Sequence, residues 1–120
     1  MKAKEDNIIA AKSYAFAIRC VNLYKFLYEE KHDSSIGRQL MRSGTSIGAN
    51  IKEAIRGVTK ADFTAKMSIS LKEASETEYW IELLRDTNYI TNQQAESLLE
   101  DCRELIKMLM KIIKTSQNSN

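Results

Sequence analysis

The chain contains no proline and only four glycines in 120 residues. Folds built from many short strands need frequent turns, and turns draw on those two residues. Their scarcity excludes an all-β architecture and favours long helices. Histidine is nearly absent too, with His32 alone. A carboxylate-bridged metal site in a helical bundle needs two Glu-x-x-His motifs, which one histidine cannot supply. The two cysteines, Cys20 and Cys102, sit in apolar helical surroundings without metal spacing. They are expected to be buried free thiols in a reducing compartment. No apolar run approaches the ~20 residues that a membrane-spanning helix needs. The opening "MKAKEDNIIAAK" is acidic and broken by Lys12, so it is not expected to be a secretory signal. These absences predict a cytoplasmic protein with no membrane partner, metal or cofactor.

What is present is an ordinary globular balance, 43% hydrophobic and 28% charged, in a length that suits one domain over residues 1–120. The net charge of +2 is unevenly spread. Residues 1–66 hold twelve Lys/Arg against seven Asp/Glu, and residues 67–120 hold six against nine. That asymmetry allows a basic face on a protein that is not strongly basic.

Hydrophobic spacing predicts four helices, over about 7–31, 35–56, 60–87 and 92–114. The first has two apolar sets. One runs through Ile8, Ala11, Tyr14, Ala17, Ile18, Val21, Tyr24 and Tyr28, the other through Phe16, Cys20, Leu23 and Leu27. Only a strip through Lys12, Arg19, Asn22 and Glu29 is polar. An outer helix of a monomeric bundle needs one apolar stripe. The surplus predicts contacts between copies, which we assign to Phe16, Leu23 and Leu27 together with Trp80. Asp33, Ser34 or Ser35 can cap the second helix and Gly57 can close it. Thr59–Asp62 and Thr91–Gln94 read as capping boxes for the third and fourth. Asn88, followed by Tyr89 and Ile90, reads as a left-handed stop. The tail "TSQNSN" reads as frayed. Connections of four or five residues force antiparallel neighbours, giving an all-α, antiparallel up-down-up-down four-helix bundle.

"RSGTSIGAN", residues 42–50, is small and polar inside a helical pattern. With the turn centred near Thr59, Ile47 falls level with Leu71 and Gly44 level with Ala74. Gly44, Ile47 and Gly48 are therefore expected to pack closely on Ser70 and Ala74, which offsets the ~1 kcal/mol that each glycine costs a helix. No strand precedes the glycines and no Lys-Ser/Thr follows them, so a phosphate-binding loop is excluded. "GTSIG" lacks the strand-turn-helix setting of a nucleophile elbow, so no catalytic residue is assigned and no enzyme is expected.

Arg38, Arg42, Thr45, Ala49, Lys52 and Arg56 step by 4, 3, 4, 3 and 4 along the second helix, tracing one face. The face is about 27 Å long at 1.5 Å per residue. Lys60 and Lys66 extend it, and Glu53 flanks it. A solvated surface is the plain alternative; a nucleic-acid interface formed by Arg38, Arg42, Lys52, Arg56 and Lys60 is the functional one. On the third helix, Lys72 with Glu76 and Glu82 with Arg85 read as ordinary intrahelical pairs. Trp80 shares a face with Glu73, Glu76 and Leu83, which suggests a subunit contact.

The texts "AFAIRCVNLYKFLYE" (15–29), "GRQLMRSGTSIGANIKEAIRG" (37–57), "DFTAKMSISLKEASETEYWIELL" (62–84) and "AESLLEDCRELIKMLMKIIKT" (95–115) together resemble the four-helix bundle proteins encoded within 23S rRNA intervening sequences. The resemblance covers nearly the whole chain. It extends, more distantly, to the accessory variability proteins of diversity-generating retroelements, basic rings that bind nucleic acid and a reverse transcriptase. It implies an antiparallel bundle assembled into a ring, commonly a homopentamer, with no enzymatic activity; the matching basic positions are Arg38, Arg42 and Arg56. The expected function is a non-enzymatic homo-oligomer that binds RNA or DNA through the basic stripe. A scaffold for a protein partner, without direct nucleic-acid contact, is the alternative.

Overall fold

The structure, a computed structural model, describes residues 3–33 and 35–118. It contains α1 (Ala3–Glu30), α2 (Ile36–Ile55), α3 (Lys60–Asp86) and α4 (Asn92–Asn118), with no strand among the described residues. The three longest helices have 27 or 28 residues. At 1.5 Å per residue that is about 40 Å, which accounts for most of the 49 Å long axis.

The ends follow local chemistry. Asp33 Oδ2 accepts the Gly37 backbone N–H at 2.8 Å and so caps α2, while the Ser35 side chain makes no capping bond. Ser34, the third candidate, lies outside the described residues. Thr59 Oγ1 accepts from the Asp62 N–H at 3.0 Å. Thr91 and Gln94 form a reciprocal box, with Gln94 Oε1 accepting at 2.8 Å and Thr91 Oγ1 at 3.1 Å. Asn88 has φ 67°, and the following Tyr89 N–H donates back to Leu84 O at 2.9 Å. Gly57 closes α2 without a positive φ, by donating to Ala54 O at 3.0 Å. Residues 115–118, expected to fray, are helical. The hydroxyls of Ser116 and Thr64 pair there, tying the end of α4 to α3. Ser119 and Asn120 lie outside the described residues.

Every neighbouring pair runs antiparallel, as the contacts show. Leu27, Cys20 and Ser13 of α1 meet Gly37, Gly44 and Gly48 of α2 in that order. Ser70 Oγ donates to Ile47 O at 2.9 Å, and Thr77 Oγ1 lies 2.8 Å from Ser43 Oγ, joining α2 to α3. Arg103 with Glu78 and Ser116 with Thr64 join α3 to α4. Lys12 with Glu104 and Arg19 with Ser97 join α4 back to α1. That last seam is wider than the others and is spanned by long polar side chains. Arg19 reaches Asp101 at 2.7 Å and both Ser97 Oγ and Ser97 O. The polar strip of α1 through Lys12 and Arg19 is thus a bridge to α4.

Two packing expectations need correction. The α2–α3 register agrees with the expected one to within a few residues, but Gly44 and Gly48 make their tightest approach to α1, and Gly44 meets α3 only at Thr77, whose Cγ2 would lie 3.8 Å from an added Cβ. A Cβ on Gly44 would overlap Cys20 Sγ and lie 2.9 Å from Cys20 Cβ; one on Gly48 would lie 3.2 Å from Ser13 Oγ. Ser43 and Ile47 are the residues that face α3, through the hydroxyl and carbonyl contacts above. Ala74 is fully buried, and its backbone carbonyl accepts from Cys102 Sγ of α4 at 3.3 Å. The second correction concerns Phe16 and Leu27, expected between copies. They are 1% and 0% exposed, and so belong to the core of one protomer with Ile9 and Cys20. Leu23 is partly buried against the same core. The exposed apolar residues of α1 are instead Ile8, Tyr14, Ile18 and Tyr28. Both faces of α1 exist, but the Phe/Leu/Cys face turns inward because it lacks the hydroxyls that let tyrosine stay in water.

Candidate nucleic-acid interface

The expected basic stripe is a real surface. Arg38, Arg42, Ala49, Lys52 and Arg56 are exposed, and Thr45 is half-buried. The rotation of α2 produces this. Ser43 turns to α3 and Gly44 to α1, so Thr45 and its heptad neighbours Arg38 and Lys52 point outward. Thr45 satisfies itself by donating to Met41 O at 2.8 Å, and Ser46 to Arg42 O at 2.7 Å. The "GTSIG" text is thus plain helix, with its hydroxyls turned back onto the backbone.

The cations on the stripe are not equivalent. Arg42 reaches over to α3, pairing with Glu76 and, at 3.4 Å, with Glu73. Glu76 also accepts from the Trp80 indole N–H at 2.9 Å. The Trp80 and Arg42 hydrogen bonds together hold the Glu76 carboxyl below its ordinary range. Arg42 therefore comes with two carboxylates around it and contributes little net field. Lys66 is likewise paired, with Glu53 at 2.9 Å. Lys60 begins α3 at the far end of the stripe and has a partner of its own. Arg38, Lys52 and Arg56 take part in no ion pair among the described residues. The site thus reduces to three unneutralised cations spread along one exposed helix face.

The carboxylates of α3 are used between helices, which corrects the intrahelical pairing expected for them. Glu76 goes to Arg42 of α2, while Glu78 and Glu82 take Arg103 of α4 at 2.7 and 3.1 Å. Arg85 pairs with Asp86 at 2.9 Å rather than with Glu82. Trp80 is half-buried over the α2–α3 seam, with Tyr79 meeting it edge-on at 5.0 Å between ring centroids. Among the described residues no cluster of His, Cys, Asp and Glu is arranged to hold a metal ion. Cys20 and Cys102 are free and buried, and burial pushes both thiols up to about 12.

A family model, described as 23S rRNA-intervening sequence protein, matches residues 5–111. The chain belongs to that family. The matched span contains all of α2 and α3, and so every cation of the stripe. A member of this 23S rRNA-intervening sequence family can also be set beside a solved structure, that of a protein of unknown function from the S23 ribosomal protein family of Bacteroides thetaiotaomicron. The two share 54% sequence identity with a TM-score of 0.90, over 95% of this chain and 99% of that chain. No curated protein matches the sequence. No helix among the described residues is long and apolar enough to cross a membrane.

The neutralisation of Arg42 has no signal in the sequence, because it depends on how α3 is rotated. The tyrosine row of α1 has one, the spacing of Tyr14, Val21 and Tyr28 in one of the two apolar sets, but the spacing does not say that this set is the exposed one.

Proposed function

We propose that this member of the 23S rRNA-intervening sequence family is a non-enzymatic homo-oligomer that binds RNA along the outer face of α2. The assembly would be a pentameric ring, as the family resemblance implies, and its setting the cytoplasm, where both thiols stay reduced. The observation that carries the RNA reading is the set Arg38, Lys52 and Arg56, exposed and without carboxylate partners. Cations that face no internal anion are available to replace the counterions of a phosphate backbone, and the release of those counterions drives binding. Lys60 lies at the end of the same track. Arg42 takes a lesser role, because a phosphate must compete there with Glu73 and Glu76.

Self-association rests on surface. A monomer of 13.7 kDa typically exposes about 6,600 Å², whereas this protomer exposes 7247 Å². An elongated bundle, 49 Å long and 21 by 19 Å across, accounts for surface of that kind, so the reading rests on which residues are exposed. They include an aliphatic row on α1, where Ile8 is 42% and Ile18 48% exposed. On α3 they include Ile69 and Tyr79.

The test combines mass and binding. Light scattering on purified protein should give a multiple of the protomer mass. Fluorescence anisotropy with labelled RNA should show salt-sensitive binding that disappears in Arg38→Glu/Arg56→Glu while the mass holds. Binding that survives this double substitution would remove α2 from the account. The exposed Tyr79 packed on Trp80 supports a second reading, a scaffold that holds a protein partner on α3. Nuclease-resistant capture of one defined protein, abolished by Tyr79→Ala, would favour it.

A further inference from the structure

The fold leaves one more row of α1 unused. Tyr14, Val21 and Tyr28 lie seven residues apart, with Tyr24 beside Tyr28. Tyr14 is 71% exposed and Tyr28 57%. The Tyr24 and Tyr28 rings stack, with centroids 6.2 Å apart and planes 28° from parallel.

Contacts of the neighbouring residues fix where this row points. Lys12 and Arg19 turn toward α4, and the next residues, Ser13 and Cys20, turn toward α2. One further step of about 100° carries Tyr14 and Val21 outward on the α2 side. The same order holds on α2. Ser43 turns toward α3, Gly44 toward α1, and Thr45 outward on the α1 side, in line with Arg38 and Lys52. The two outward rows therefore flank one seam. In this antiparallel pair Leu27 meets Gly37 and Ser13 meets Gly48, so Tyr28 falls about 3 Å along the axis from Arg38, and Tyr14 about one turn from Lys52. Gly44 and Gly48 let the two helices approach closely at Cys20 and Ser13, which brings the two outward rows side by side.

We infer that this seam is a binding track for single-stranded RNA, with bases stacked on Tyr14 and Tyr28 and phosphates held by Arg38 and Lys52. This rests on the RNA reading of α2 and adds to it the strandedness of the ligand. A duplex hides its base faces, whereas a single strand offers them to aromatic rings. A basic face alone would not discriminate between the two. Tyr14 and Tyr28 are about 21 Å apart along the helix, room for several nucleotides. Tyrosine suits the task because its ring stacks while its hydroxyl keeps the unoccupied surface compatible with water.

The test uses the full chain and two probes of matched length, an unstructured oligoribonucleotide and an RNA hairpin duplex. Affinities are measured across a salt series for the parent, Tyr14→Ala/Tyr28→Ala and Tyr14→Phe/Tyr28→Phe, with helicity and assembly mass followed alongside. The parent should prefer the single strand. The alanine pair should lose about tenfold in single-strand affinity for each ring. Its salt slope should not change, because no cation is removed, and the phenylalanine pair should bind like the parent. Equal affinity for the two probes, or an alanine pair that binds like the parent while Arg38→Glu/Arg56→Glu does not, would overturn the inference and leave the basic stripe standing. Failure of the parent to bind either probe would overturn the RNA reading itself. A changed assembly mass in the alanine pair would show that the tyrosines join subunits, and would also overturn it.

Discussion

Replacing Gly44 by alanine separates two opposing effects that the structure allows to be weighed. In a solvated helix the change stabilises by about 1 kcal/mol, because alanine has the better helix propensity. Here the new methyl would overlap Cys20 Sγ and stand 2.9 Å from Cys20 Cβ. Cys20 is fully buried and cannot swing away, so the α1 and α2 backbones must separate. Overpacking of that kind costs about 1–3 kcal/mol. The net expectation is a loss of up to about 2 kcal/mol, or a Tm lower by up to about 8 °C for a domain of this size. Gly48→Ala is the control. Its methyl would lie 3.2 Å from Ser13 Oγ and 3.5 Å from Ser13 Cβ, which small shifts can accommodate. That variant should match or exceed the parent. Urea denaturation at a fixed protein concentration, followed by far-UV circular dichroism, measures both. In Cys20→Ala/Gly44→Ala the added methyl occupies space that the sulfur vacates, so the double variant should be more stable than the sum of the singles by about 1 kcal/mol. A Gly44→Ala protein as stable as Gly48→Ala, with no coupling to Cys20, would refute the close α1–α2 approach.

The remaining predictions are briefer. Burial holds both cysteine thiols near 12 when folded, against 9 for an exposed thiol, so the folded state retains protons that the unfolded chain would lose. Stability should be unaffected by these groups below pH 9 and should fall from there toward pH 12, and a Cys20→Ala/Cys102→Ala variant should show a shallower decline in the same window. Below pH 9 neither thiol should react with a disulfide reagent until denaturant is added. Ser70→Ala removes the hydroxyl that meets Ile47 O at a fully buried site and should cost about 1 kcal/mol in urea unfolding. Asp33→Ala removes the carboxylate that caps α2 and should cost about 0.5–2 kcal/mol. Arg42→Gln should weaken RNA binding less than Arg38→Gln does, because Glu73 and Glu76 already occupy Arg42.

Helix ends were the most legible part of the sequence where the signal was a short motif that acts on itself. Thr91 with Gln94 and the left-handed Asn88 formed as the spacing predicted. The end of α1 was less legible, because His32 takes the left-handed position, at φ 57°, that glycine or asparagine usually marks. Leu27 O then accepts from both the Lys31 and Asp33 backbone N–H groups, so the stop is formed by backbone hydrogen bonds without the usual residue. Axial register was legible too, since a short α2–α3 connection sets which residues share a level. Rotation about each helix axis was not. Gly44 and Ser43 are adjacent in sequence yet make their closest contacts with different helices, Gly44 with Cys20 of α1 and Ser43 with Thr77 of α3. Two faces of α1 had helical spacing, and spacing alone did not rank Phe16 and Leu27 above Tyr14 and Tyr28 for the interior. For the same reason the stripe on α2 was found by its periodicity, while the pairing of Arg42 with Glu73 and Glu76 depends on a rotation of α3 that no local pattern encodes.

The claim on which the functional account depends is that Arg38, Lys52 and Arg56 meet phosphates. The direct measurement is the slope of log affinity for single-stranded RNA against log salt concentration, compared between the parent and Arg38→Gln/Lys52→Gln/Arg56→Gln. Each engaged cation contributes a slope of about −0.7 on a single strand, so the triple substitution should flatten the slope by about 2 for every protomer that contacts the probe, and weaken binding at low salt. An unchanged slope with unchanged affinity would mean that the outer face of α2 is only a solvated surface.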